Sequence, residues 1–234
     1  MQLIAGVDGS RAGWFAVSLD AHGRIASAVF STSTTLCDAL GKAGVIAVDV
    51  PIGLTDCGPR QCDRAARKAL GTPRASSVFP PPVRSALTAQ TREAASLAQR
   101  RIDGRGIGVQ AWGIFPKIRD WDRRLRENSQ IAKRVFEVHP EVCFWALNAL
   151  QPMRHSKKSP EGRSERRNLL AREFSSAALD EARARHTRRE VADYDLYDAF
   201  VALWTARRIH AGIAKCFPES PPRDSAGLSM AIWY

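Results

Sequence analysis

Five short runs of apolar residues predict β-strands, because each has the length of a strand and is followed by polar or turn-forming residues. The runs cover residues 2–8, 13–19, 24–30, 45–50 and 133–138. The tetrapeptide DAHG, residues 20–23, separates the second run from the third and predicts a hairpin turn.

Apolar positions at helical spacing predict helices between and after these strands. They span about residues 60–70, 83–101, 116–127, 174–189 and 193–211, with a short helix over EVCFWALNA. A polar, cationic stretch at 155–167 predicts a loop that runs into a helix, and the final GLSMAIWY predicts a terminal strand or an extended tail. We therefore expect an α/β fold: a mixed central five-stranded sheet flanked by helices, in one domain with helical insertions at about 56–130 and 140–190.

Charge is the part of the composition that adds most to this picture. The 234 residues are 44% apolar, enough for a packed core, and no apolar stretch is long enough to span a membrane. The net charge is +11, and residues 57–190 hold 28 basic and 14 acidic side chains, whereas both flanking segments are slightly acidic. This basic middle favours a polyanionic partner, DNA or RNA, although a solvated basic surface is an alternative interpretation.

The chain has five cysteines, and its first residues show no export signal, so we expect a reduced, cytoplasmic protein. Cys57 and Cys62 have a C-x4-C spacing that could begin a zinc site, for which His139 and Cys143 would be the second ligand pair. The alternative is a set of ordinary thiols.

Three of the predicted strands have an acid at or near their end, namely Asp8, Asp49 and Glu137. A carboxylate in an apolar run is costly unless it is paired, hydrogen-bonded or metal-bound. Asp8 and Asp49 can each be explained locally, as caps of the turns that follow them. His139, two residues after Glu137, is either a proton shuttle or a packing histidine.

Asp195 and Asp198 are three residues apart on the last predicted helix and therefore project from one face. Acids are favourable in a first helical turn, which explains Asp195 better than Asp198. Together the strand and helix acids form a set of carboxylates that need cations to coexist. Oxygen ligands select Mg²⁺ or Mn²⁺, and two such ions about 4 Å apart can clamp a phosphodiester.

Basic side chains form two clusters that are candidates for holding phosphates. The residues we expect to bind nucleic acid are Arg11, in the turn after the first predicted strand, Lys117, Arg119 and Arg123, on one predicted helix, and Lys157, Lys158, Arg163 and Arg166, on the polar stretch. The alternative is that both clusters are solvated surface.

Several longer motifs occur in order along the chain: IAGVDGSRAGW, VIAVDVPIGL, R-x-C-D-x-x-A-R-x-x-L-G, SVFPPPVR, VFEVHPEV, SKKSPEGRSER and D-x-x-D-A. They resemble those of an uncharacterised bacterial and archaeal family described as predicted RNase H-like nucleases, over about residues 3–233. The resemblance implies an RNase H-like fold in which Asp8 bridges two metal ions and Asp49 supplies a second acid. Glu137 matches the family's E-x-H-P-E element, and Asp195 and Asp198 match a RuvC-type acid pattern, with Tyr194 where a further acid is expected.

The leading hypothesis is therefore a metal-dependent nuclease that hydrolyses phosphodiester bonds with two Mg²⁺ or Mn²⁺ ions. Its catalytic residues would be Asp8, Asp49, Glu137, Asp195 and Asp198, and all of these except Asp195 would bind metal. One alternative is a non-catalytic nucleic-acid-binding module on the same fold. Another is a phosphoryl-transfer enzyme acting on a small molecule or nucleotide.

Overall fold

The computed structural model describes residues 2–234 and contains the expected mixed sheet of five strands flanked by helices. The α/β prediction is confirmed, and each expected strand is present within a few residues of its predicted bounds. The strands are β1, Ile4–Ser10; β2, Gly13–Leu19; β3, Ile25–Phe30; β4, Val45–Val48; and β5, Val135–Glu137.

The order of strands across the sheet is β3-β2-β1-β4-β5. The first three strands form an antiparallel meander, whereas β4 runs parallel to both β1 and β5. The carboxyl ends of β1, β4 and β5 therefore meet at one edge of the sheet, where ligands commonly bind in α/β folds.

Helices precede and follow β4 and β5, as the pattern predicts. They are α1, Ser33–Ala39; α2, Gln61–Leu70; α3, Arg92–Asp103; α4, Val109–Gly113; α5, Phe115–Glu127; α6, Ser129–Ala132; α7, Pro140–Leu147; α8, Pro160–Phe174; α9, Ser176–Ala184; and α10, Asp193–His210. Short 3₁₀ turns cover Arg74–Ser77 and Arg84–Thr88.

Two predicted helices are wrong in extent because a hydroxyl residue starts a new helix inside each. The expected helix at 83–101 is a 3₁₀ turn and then α3, since Thr91 is extended and its side chain accepts the amide of Ala94. The expected helix at 174–189 is the end of α8 and then α9, since Ser175 has a positive φ of 68° and caps Ala178.

The sheet has a hydrophobic core on each face. Alternate residues of β1 and β4, such as Val7 and Val48, pack with α5 on one face. Residues such as Ile4 and Ala47 pack with α10 on the other. At Gly6 the backbone of α10 comes close enough that only a residue without a β carbon fits.

The last residues form a strand, which confirms one of the two expected alternatives for GLSMAIWY. β6, Cys216–Phe217, pairs antiparallel with β7, Ile232–Trp233, and Trp233 also bridges to Val138 after β5. Within residues 2–234, the helices are all too short or too polar to cross a membrane.

Candidate active site

Asp8 and Asp49 lie side by side at the carboxyl ends of β1 and β4. The two strands pair with Val7 opposite Val48, and the amide of Asp49 donates to the carbonyl of Val7 at 2.9 Å. Because side chains alternate along a strand, both acids are on the face shared with Ala47, which packs with α10. The parallel pairing therefore brings together two acids that are far apart in the sequence.

Helix α10 supplies the other two acids from its first turns. Asp198 is wholly buried, at 0% exposure, whereas Asp195 is partly exposed and accepts a hydrogen bond from the Ala192 amide at 3.3 Å. At Gly6, in the middle of β1, the backbone of α10 packs directly on this strand. We call Asp8, Asp49, Asp195 and Asp198 the acid cluster.

The electrostatics of the acid cluster are those of like charges held together away from water. Burial raises the pKa of Asp8 well above its usual range, and the Asp49 and Asp198 carboxylates raise it further. Burial also raises the pKa of Asp49, although His139 and Lys157 oppose this shift. Burial and the charge of Asp198 raise the pKa of Asp195 to about 6. Asp8, Asp49 and Asp195 thus resist ionisation unless a cation offsets their charge.

Lys157, from the loop before α8, already places one cation in the acid cluster. Its Nζ lies 2.5 Å from Oδ2 of Asp198 and 5.5 Å from the centroid of the Tyr194 ring. Burial disfavours the ammonium, but the carboxylates of Asp198 and Asp8 outweigh burial and raise the pKa of Lys157. Lys157 therefore stays protonated and neutralises part of the acid cluster.

Two oxygens at this end of the sheet lack a hydrogen-bond partner among residues 2–234, although both are buried. They are Oδ1 of Asp198 and Oγ of Ser10, which lies two residues after Asp8 on the same face of β1. Nδ1 of His139, a residue close enough to lower the pKa of Asp49, is also unpartnered there. Unsatisfied buried oxygens beside several carboxylates are the donors that a hard divalent cation binds.

The side chains of residues 2–234 are not arranged around a position for a metal ion. In residues 2–234, the His, Cys, Asp and Glu side chains form no group of three or more arranged to hold one. In the acid cluster, the Lys157 ammonium contacts one oxygen of Asp198. The zinc interpretation therefore gains no support either. The first two cysteines proposed for it also differ in environment, since Cys57 is exposed and Cys62 is buried.

Glu137 lies on the other face of the sheet from the acid cluster. Glu137 pairs with Val48, the residue before Asp49, so its side chain is on the face opposite to that of Asp49. The side chain is 5% exposed and points away from α10. Arg60 donates to both of its carboxylate oxygens, at 2.8 and 2.7 Å, and the Ile52 amide donates to one at 2.7 Å. The expected grouping of Glu137 with Asp8 and Asp49 is therefore corrected.

Arg60 is the buried partner that the sequence pattern did not reveal. Its guanidinium also binds both oxygens of Asp63, at 3.0 and 2.6 Å, so one arginine joins α2 to β5. Burial raises the pKa of Glu137 to about 7 despite the opposing charge of Arg60. The signal for this pair in the sequence is the R-x-x-D spacing at the start of the predicted helix, which lies within the basic middle region.

Two basic residues expected to bind nucleic acid have their polar hydrogens engaged by the backbone. Lys117 donates to the carbonyls of Ser10 and Gly13, at 3.2 and 2.7 Å. Arg119 donates to the carbonyl of Leu87 at 2.6 Å. Both side chains thus fasten α5 to neighbouring segments, Lys117 just behind the acid cluster.

The other expected basic residues divide by exposure. Arg166 is 0% exposed and forms an ion pair with Glu141 at 2.5 Å, so it does not lie where a nucleic acid would bind, and its expected role is corrected. The residues that do reach the surface are Arg11, Arg123, Lys158 and, in part, Arg163. Arg11 lies in the hairpin directly after Ser10, and Lys158 follows Lys157, so both flank the acid cluster.

Comparison with known proteins identifies a family without a described activity. No curated protein and no solved structure matches the chain. A family model covers residues 6–223, which includes β2 to β5, all of β1 but its first two residues, and the whole acid cluster. The chain therefore belongs to the family described as protein of unknown function, DUF429.

Proposed function

We propose that the chain is a divalent-metal-dependent nuclease with an RNase H-like fold. The observation that supports this most is that Asp8, Asp49 and Asp198, from two parallel strands and a helix, lie near enough at one end of the sheet for Asp49 and Asp198 to raise the pKa of Asp8. Burying several carboxylates together is costly, and a bound cation offsets that cost. The mixed sheet and the acids of β1, β4 and α10 agree with the fold that the sequence motifs imply.

The chemistry of the donors fits Mg²⁺ or Mn²⁺. The acid cluster offers only carboxylate oxygens, with the Ser10 hydroxyl close by on the same face, and hard ions prefer oxygen ligands. Asp198 has one oxygen free of partners among residues 2–234. A bound divalent ion would lower the pKa of the attacking water and offset the charge that develops on the phosphate.

The residues of the chain divide this work by position. Asp8 is near enough to both Asp49 and Asp198 for each to raise its pKa, and these three carboxylates are the residues that would hold a divalent ion. Asp195, partly exposed at the edge of the cluster, is in contact with solvent and able to take up a proton. Arg11 and Lys158 are exposed and directly follow Ser10 and Lys157 in the chain, so they are suited to hold the phosphates that flank a scissile bond.

The test is hydrolysis of labelled single-stranded, duplex, hybrid and branched nucleic acids in Mg²⁺ or Mn²⁺. Wild-type protein should cut at least one of them, and Asp8→Asn and Asp198→Asn should reduce cleavage by at least about a thousandfold. Asp38→Asn is the matched control, because Asp38 is 65% exposed on α1 and pairs only with Arg124. Cleavage that survives Asp8→Asn, or inactivity on every substrate, would contradict the proposal.

A second candidate is a nucleic-acid-binding module without catalysis. Its support is the ion pair of Lys157 with Asp198, which shows that the acid cluster is partly neutralised by the chain itself. The two candidates differ in what Asp8→Asn does: it should leave salt-dependent binding of nucleic acid unchanged in a pure binding module, and it should abolish cleavage in a nuclease.

A further inference from the structure

We propose that Lys157 is a built-in cation of the acid cluster, and that the cluster consequently takes one divalent ion instead of two. The inference rests on the proposed metal-dependent function and deepens it. The Lys157 ammonium contacts Asp198 and lies near enough to Asp8 and Asp49 for their charges to raise its pKa.

The two oxygens of Asp198 differ in what they contact. Nζ of Lys157 lies 2.5 Å from Oδ2, while the buried Oδ1 has no partner among residues 2–234. The ring of Tyr194 lies on another side of the ammonium, with 5.5 Å between Nζ and its centroid. One side of Asp198 is thus filled by lysine, and the other is free for a single ion shared with Asp8.

The loop that carries Lys157 is held in place on both sides of it. The backbone amides of Arg154 and His155 donate to the carboxylate of Glu165, at 3.0 and 3.2 Å. The buried guanidinium of Arg166 donates to the carbonyl of His155 at 3.1 Å. These contacts fix the chain immediately before Lys157 against α8.

The chain after Lys157 is fixed by the first turn of α8. Ser159 caps the helix, since its hydroxyl accepts the Gly162 amide at 3.1 Å. Gly162 packs so tightly that a β carbon would stand 1.9 Å from the carbonyl oxygen of Ser156. The loop is therefore built to deliver a lysine to one position.

The position of the Lys157 ammonium favours one ion over two. The net charge alone does not decide, because one or two divalent ions added to the ammonium and four carboxylates leave imbalances of equal size and opposite sign. A second ion that bound Oδ2 of Asp198 would lie against Nζ of Lys157, which already contacts that oxygen. Like charges a few ångströms apart repel strongly in a buried site, so Lys157 excludes the second ion.

The test is a count of bound Mn²⁺, made by following the electron paramagnetic resonance signal of free Mn²⁺ during titration of metal-free protein. Wild-type protein should bind one ion per chain. Lys157→Met keeps the length of the side chain and removes its charge, and it should bind two ions, the first at least about tenfold tighter. Lys157→Arg restores the charge and should return the count to one.

Lys42→Met is the matched control, because it removes an exposed lysine just before β4, at the opposite end of the sheet from the acid cluster. It should bind one ion with wild-type affinity. Circular dichroism of the metal-free proteins shows whether each variant is folded. The wild-type count tests the inference even where Lys157→Met does not fold.

The outcomes separate this inference from the proposed function. Two ions on wild-type protein, or one ion on folded Lys157→Met, overturn the inference and leave a metal-dependent nuclease standing. No Mn²⁺ bound by wild-type protein at millimolar concentration overturns both. One ion on wild-type protein with no cleavage of any nucleic acid supports the inference about Lys157 and counts against nuclease activity alone.

Discussion

The amide nitrogen of Leu203 lies so close to Gly6 that a β carbon on that glycine would stand 2.0 Å from it. Strand β1 and helix α10 therefore touch backbone to backbone. Asp8 lies two residues after Gly6, and Asp198 lies on the same side of α10 as this contact, so the glycine sets the spacing between two acids of the cluster.

Replacing Gly6 with alanine should destabilise the protein by about 3 kcal/mol, because the methyl group overlaps backbone that has no rotamer by which to move aside. Urea denaturation followed by circular dichroism measures the change. Gly113→Ala is the control, since a β carbon there meets no atom within 4 Å. Equal stability of the two variants would show that α10 is not packed on Gly6 as described.

The second prediction concerns Glu137, which the sequence groups with the metal ligands and the structure joins to Arg60. Glu137→Gln should lower the free energy of unfolding by about 3 kcal/mol, because it leaves a buried guanidinium short of charge. The same substitution should leave Mn²⁺ affinity within about threefold of wild type, because Glu137 faces away from the acid cluster. Mn²⁺ titration and urea denaturation of the same preparation measure both quantities.

A loss of Mn²⁺ binding without loss of stability would instead return Glu137 to the metal site. Asp20→Asn serves as the control for the stability measurement. Its ion pair with Arg24 is at the surface, where such pairs contribute little, so its free energy of unfolding should change by less than about 1 kcal/mol.

The sequence predicts the strands well because each is a continuous apolar run, and the same continuity conceals which way each side chain points. Residues 135–138 are apolar except for Glu137, since both faces of β5 are covered. Only the register, with Val48 opposite Glu137, shows that the side chains of Glu137 and Asp49 are on opposite faces of the sheet. Register between parallel strands depends on packing across the whole sheet, which no local pattern records.

Residues on loops were harder to place than residues on strands and helices. Asp8, Asp49 and Asp198 could be grouped from the sequence because strand ends and a helix face have fixed geometry. Lys157 was expected to bind phosphate, and its contact with Asp198 depends on the folded loop before α8. Arg60 could not be distinguished from the surface arginines, because burial of an arginine depends on its acidic partners.

The third prediction follows from the raised pKa values of the acid cluster. A carboxyl whose pKa is raised on folding holds its proton more tightly in the native state, so it stabilises the fold at low pH and loses that contribution as pH rises. For Asp195 the loss falls between about pH 4 and pH 6, given its native pKa of about 6. Metal-free protein should therefore lose stability over this interval, and Asp195→Asn should lose less.

Thermal denaturation in a chelator across this pH range makes the measurement, and the same pH series with Mn²⁺ provides its counterpart. Because Mn²⁺ competes with protons for Asp8 and Asp49, its stabilising effect should grow as pH rises from 4 to 7. A stabilising effect of Mn²⁺ that did not depend on pH would mean that the ion binds elsewhere.

The last prediction separates surface cations from structural ones among the basic residues. Arg11 and Lys158 are exposed beside the acid cluster, so Arg11→Ala and Lys158→Ala should each weaken binding of duplex or single-stranded nucleic acid. Each should also reduce the slope of log K against log salt by about 1, the signature of one lost phosphate contact. Lys42→Ala, an exposed lysine just before β4 at the opposite end of the sheet, should change neither quantity. Arg166→Met should act differently, lowering stability by about 3 kcal/mol through the loss of its buried pair with Glu141. Fluorescence anisotropy over a salt series measures the slopes, and an unchanged slope for both Arg11→Ala and Lys158→Ala would place the nucleic-acid surface away from the acid cluster.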